Sequence, residues 1–170
     1  MRLALVPLLA LALGGCGYRV SGRADLLPKN IHTIAVTAFT NGSTRYKLSD
    51  RLAADITREF ISRTRYEIVA DPNQADAVLS GAVIDYTAFP GIYNPDVGRS
   101  STVQMNVHLN VTLTERATGA VLYSRQNYEV RERYEISPDQ SAYIEESDVA
   151  LERLSRSAAR AIVSGVLENF

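Results

Sequence analysis

From Thr102 to Thr114 every second residue is apolar: Val103, Met105, Val107, Leu109, Val111 and Leu113. Between them stand Gln104, Asn106, His108, Asn110 and Thr112, with a threonine at each end. Strand side chains point to opposite faces in turn. The pattern therefore predicts a strand with one face on a core and the other on something polar. Thr118-Gly119 marks a hairpin, and residues 121–134 return as the partner strand. There Leu122, Tyr128 and Val130 fall on one face, and Arg125, Asn127, Glu129 and Arg131 on the other. Upstream, residues 31–39 are rich in β-branched side chains and predict a first strand, buried on both sides at Ile34 and Val36. Asn41-Gly42-Ser43 breaks it. Leu48, Leu52, Ile56 and Phe60 then recur every fourth residue, which predicts an amphipathic helix over 49–62.

A short strand at 66–69 completes a strand–helix–strand unit with a right-handed crossover. Asp71-Pro72-Asn73 can start a short turn of helix before a strand at 77–87. Ser137-Pro138-Asp139-Gln140 has the form of a capping box, although the helix could also begin a few residues later. Ile144, Leu151, Leu154, Ala158, Ile162 and Val166 give the final helix a narrow apolar stripe, and small residues such as Ala161 and Gly165 let it lie close to a sheet. The order β-α-β-β-β-β-α predicts an α/β (α+β) sandwich: a mixed four- to five-stranded sheet with two helices packed on one face.

The N-terminus changes the picture. Arg2 is followed by an apolar run from Leu3 to Leu13, long enough for a secretory signal and shorter than the roughly 20 residues of a spanning helix. Leu13-Gly14-Gly15-Cys16, with the single cysteine of the chain, resembles the lipobox of bacterial lipoproteins. That resemblance implies a diacylglycerol on the Cys16 thiol, removal of residues 1–15 and acylation of the new amine. Several acyl chains, at about 0.8 kcal/mol per CH2, make a lasting anchor. Gly17, where an Asp would signal inner-membrane retention, points to the outer membrane, periplasmic side. Residues 16–30 read as a tether spanning roughly 20 Å, and 31–170 as one domain.

Charge and chemistry narrow the function. The formal net charge is −1, which makes nucleic acid an unsuitable partner. The distribution is uneven. Residues 17–65 carry nine Lys/Arg against four Asp/Glu, and residues 66–170 carry eight against fifteen. The two histidines are His32, at the start of a strand, and His108, on the polar face of the alternating one. No metal-ligand spacing, nucleophile elbow or phosphate-cradling glycine loop occurs. His108 could pair with Glu115 or Asp85, but the chain as a whole reads as a non-enzyme without catalytic residues, cofactor or metal. The polar face of 102–114 bears no charge before Glu115, which suits close contact with another polar wall because no ion is desolvated. The loop 89–101 holds Tyr93, Asn94, Arg99 and two prolines, and loops of that kind often carry function.

Taken together, Cys16-Gly17-Tyr18-Arg19, the strand at 31–39, Tyr46-Lys47-Leu48, Leu79-Ser80-Gly81, Val103-Gln104-Met105 and the capped final helix resemble the lipopolysaccharide-assembly lipoproteins of the LptE family. The resemblance covers most of the chain after Cys16. It implies a plug inside the lumen of a large outer-membrane β-barrel, which inserts lipopolysaccharide into the outer leaflet and which the lipoprotein helps assemble. Gln104, Asn106, His108 and Asn110 are then the candidates for barrel contact, and Arg99, Tyr93 and Asn94 for glycolipid contact. Arg99 is the only cation of the 89–101 loop and Asp96 lies near it, so the basic loop tip of some members is not matched. The alternative is a membrane-tethered interaction module that activates a cell-wall synthase or forms part of a secretion channel. The short tether favours the barrel.

Overall fold

In the computed structural model, residues 27–91, 93–95, 99–100, 102–135 and 140–168 are described, with side chains for all but 93–94, 99–100 and 140–146. Cys16, the signal segment, most of the tether and the proline of the capping box lie outside the described residues.

The first strand is shorter than its sequence suggests. β1 (Thr33–Val36) is followed by a two-residue segment, β2 (Thr40–Asn41), and both run parallel to β4 (Ala77–Pro90). Ile34 and Ala35 are the fully buried pair of β1, whereas Val36 is only half-buried, which corrects the expectation for that position. Through helix α1 (Lys47–Arg63) the chain crosses back, so that β3 (Glu67–Val69) pairs parallel with β1. α1 forms because Leu48, Leu52, Ile56 and Phe60 share one face, and all four are fully buried. Asp50 in the first turn and Arg63 in the last complement the helix dipole. The helix stops where Thr64 turns extended and donates both its N–H and its hydroxyl to the carbonyl of Phe60. Asp71 then caps a single 3-10 turn, Pro72–Gln74, by accepting from the Asn73 N–H at 2.9 Å.

β4 leads through a ribbon of two short strands, β5 (Tyr93–Asn94) and β6 (Arg99–Ser100), into β7 (Thr102–Glu115). β8 (Val121–Glu135) returns antiparallel after a turn in which Gly119 has φ +73°. The sheet order is β3-β1-β4-β7-β8, parallel on one side and antiparallel on the other. α2 (Gln140–Glu168) packs against β8 and α1. Both helices cover the same face of the sheet, the face on which Met105, Val107, Leu109, Val111 and Leu113 are fully buried.

The stripe on α2 is wider than the sequence suggests. Ala150, Ala159, Val163 and Leu167 are buried along with Leu151, Leu154 and Ile162, because α2 meets the sheet on one flank and α1 on the other. Close approach has visible causes. A Cβ at Gly81 would lie 2.3 Å from the ring of Phe39, itself buried, so the missing side chain is the space the ring occupies. Gly165 does the same for Tyr123, whose hydroxyl would lie 2.7 Å from an added Cβ.

Three β-bulges reset which residues face the core. One sits at Ile84 in β4, one at residues 126–127 opposite Asn110, and one at Leu122. The second corrects the face assignment in β8. Beyond it, Arg125 pairs with Val111 and stands on the helix side of the sheet, its guanidinium 3.7 Å from the Tyr128 ring centroid. The same bulge puts Tyr123, not Leu122, into the core, in register with Leu113.

Candidate functional site

The four barrel-contact candidates stand in a row on the face of β7 that the helices leave uncovered. Gln104, Asn106, His108 and Asn110 are all half-buried, flanked by β4 and β8. The bulge at Ile84 decides the local chemistry, because it brings Asp85 into register with His108. Their side chains meet at 2.7 Å, Nδ1 to Oδ1. Glu129 is the partner of His108 on the other side, so a carboxylate, an imidazole and a second carboxylate cross three strands in line. Of the two carboxylates the sequence offered to His108, the fold selects Asp85.

The other members are held as well. Gln104 donates to Asn106 Oδ1 at 3.1 Å and accepts from Arg133 at 3.4 Å. Asn110 Oδ1 accepts the backbone N–H of Asn127 at 2.8 Å, where Asn127 adopts φ +52°. Asparagine tolerates that left-handed conformation better than most residues, so Asn110 and Asn127 together fix the bulge. Arg131, in register with Asn106, forms an ion pair with Glu129 at 2.6 Å. That hydrogen bond holds the Glu129 carboxyl below the usual carboxylate range and raises the Arg131 guanidinium.

Strand β7 is uncharged on this face, but the face as a whole is not. Asp85, Glu129, Arg131 and Arg133 flank the row. Alternation within one strand identifies its own polar residues and says nothing of its neighbours. Which strands pair, and in which register, is a property of the tertiary fold.

The glycolipid-contact candidates come together on the β5–β6 ribbon. Asn94 is the register partner of Arg99, and Tyr93 that of Ser100. The Gly91 N–H donates to the Thr102 carbonyl at 2.8 Å, so this ribbon continues the β4–β7 hairpin. Two polar residues escape the sequence pattern. Asp55 is buried within α1, accepts the Ser155 hydroxyl of α2 at 2.6 Å and pairs with Arg58 at 2.7 Å. The signal for Asp55 was its place seven residues after Leu48, inside the apolar stripe. Among the described residues no group of three His, Cys, Asp or Glu could hold a metal, and no helix is long and apolar enough to cross a membrane.

The fold recurs in solved lipoproteins. Lipoprotein B from Nitrosomonas europaea superposes with a TM-score of 0.58 at 18% identity, covering 90% of this chain and 96% of that one. Rare lipoprotein B from Shewanella oneidensis gives 0.57 at 14% identity, with coverages of 81% and 95%. A lipoprotein from Caulobacter crescentus gives 0.55 at 16% identity, with coverages of 79% and 88%. At these identities the likeness shows the fold alone. No curated protein matches the sequence. The family model for LptE, lipopolysaccharide-assembly, matches residues 31–165, which spans α1, all strands of the main sheet and α2 as far as Gly165. On that match the chain belongs to the LptE family of lipopolysaccharide-assembly proteins.

Proposed function

We propose that this protein is an outer-membrane lipoprotein, anchored through acylated Cys16, that plugs and helps assemble the β-barrel translocon inserting lipopolysaccharide into the outer leaflet. The family match over 31–165 carries the reading. The asymmetry of the sheet supports a place for the contact. One face is sealed by two helices, and the other presents Gln104, Asn106, His108 and Asn110. The interior of a wide barrel is polar and suits a wall of hydrogen-bonding groups. Two of the flanking charges are already paired with each other, Arg131 with Glu129, and Asp85 is hydrogen-bonded to His108. Such a face loses less on contact than one with isolated ions. The β5–β6 ribbon, with Tyr93, Asn94 and Arg99, is the proposed place of direct glycolipid contact, because guanidinium groups match phosphate oxygens well.

Affinity purification of the intact lipoprotein from outer membranes tests both halves. Asn110→Glu and Asn106→Arg, the latter adding a third cation beside Arg131 and Arg133, should leave the domain folded and release the barrel. A few kcal/mol of unmatched charge weakens association by about two orders of magnitude. Arg99→Glu should keep the barrel and lower lipopolysaccharide binding. Full barrel and glycolipid retention by all three variants would overturn the proposal.

A further inference from the structure

On the helix side of the sheet, away from the polar row, α1 and α2 enclose a cleft of about 410 Å³. Arg58 enters it from α1 beside Asp55 and Glu59; Arg153, Arg156 and Arg160 enter from α2, and Glu132 from β8. On α2 these positions recur at intervals of three and four residues, so three like charges share one helix face, an arrangement that is unfavourable unless something compensates it. Three of the four guanidiniums have a carboxylate. Arg58 pairs with Asp55 at 2.7 Å, Arg153 with Glu132 at 2.9 Å, and Arg156 with Glu152. Among the described residues Arg160 has only a 3.4 Å hydrogen bond to the Ser157 hydroxyl. The floor is rigid, because buried Asp55 is tied to buried Ser155 across the helix interface.

We infer that this cleft is a binding site for a phosphate group, with Arg160 as its principal cation. Glu59 on the α1 wall is paired with Arg63 at 3.2 Å, so the surplus charge is that of Arg160 on the α2 wall, facing the open edge of Arg58, whose side chain is 68% exposed. A tetrahedral oxyanion offers oxygens to both walls at once, whereas a carboxylate presents two oxygens in one plane and fits a single fork. Phosphate thus fits the two-walled arrangement better. The site lies on the face opposite the barrel-contact row and does not depend on the reading of that row.

Isothermal titration calorimetry of the full chain in non-ionic detergent tests the inference, with inorganic phosphate and with monomeric dihexanoyl phosphatidic acid as ligands. Dihexanoyl phosphatidylcholine, which is zwitterionic, is the control. Both phosphate ligands should bind, and Arg160→Gln should weaken each about tenfold, equivalent to about 1.4 kcal/mol. Arg65→Gln, a surface cation outside the cleft, should change nothing. Tighter binding of phosphatidic acid than of phosphate identifies a lipid headgroup, and equal binding a soluble phosphorylated ligand. Arg160 is exposed, so the variant should melt with the parent; should it not, Arg156→Gln carries the same expectation. Absence of binding by the parent chain, or equal losses from Arg160→Gln and Arg65→Gln, overturns the site. Barrel co-purification by Arg160→Gln remains a separate readout of the proposed function.

Discussion

Asp76 shows how much one carboxylate can organise. Its Oδ2 accepts the backbone N–H groups of His32 and Thr33, both at 2.9 Å, and so pins the start of β1 to the approach of β4. Those two bonds, His32 first, hold its pKa below the usual carboxylate range. A depressed pKa means stability that is present above the unfolded value of about 3.9 and lost as pH falls through the lower folded value. Asp76→Asn should therefore cost about 1 kcal/mol at neutral pH, a charge-assisted contribution reduced for partial exposure, with the gap to the parent closing in acid. Thermal melts across pH 2 to 7 measure this, and a constant gap would refute it. Tyr123 offers the opposite case, since its hydroxyl is buried without a partner among the described residues. Tyr123→Phe should then be neutral or stabilising. Gly165→Ala gains about 1 kcal/mol of helix propensity and meets that same hydroxyl at 2.7 Å. It should therefore stabilise more in the Tyr123→Phe background than alone. Additive effects in a double-mutant cycle would show that the hydroxyl is not the obstacle.

At the scale of elements, β7 divides the molecule. Leu109 is fully buried on its helix side and Asn106 half-buried on the other. Leu109→Asp buries an uncompensated charge and should cost at least ~3 kcal/mol or unfold the domain. Asn106→Asp lies beside Arg131 and should cost well under ~1 kcal/mol. Urea denaturation separates the two, and equal losses would mean that both faces are sealed. The elements also show where sequence patterns fail. Period-two alternation placed β7 to within a residue, because a strand without bulges keeps parity from end to end. In β4 and β8 single extra residues at Ile84, Leu122 and 126–127 invert that parity, so Arg125 and Tyr123 fell on unexpected faces. Bulges answer to the partner strand and leave little trace in composition.

For the whole molecule, the anchor and the partner are separable predictions. Cys16→Ala should leave the domain folded and either release it from the outer membrane or stall it as a precursor. Mass spectrometry of the mature N-terminus should find an acylated cysteine, and an unmodified thiol there would refute the anchor. The sequence by itself determined what depends on neighbours along the chain. That includes the alternating strand, the amphipathic stripe of α1, the Asp71 cap and the hairpin at Gly119. Period and local hydrogen bonding need no distant partner to be read. The tertiary structure alone decided what depends on residues far apart in the chain. It set Asp85 against His108, flanked an uncharged strand with Glu129, Arg131 and Arg133, and tied Asp55 to Ser155. It also drew four arginines from two helices around one cleft. These side chains come from different elements, and only the docking of sheet and helices sets their distances.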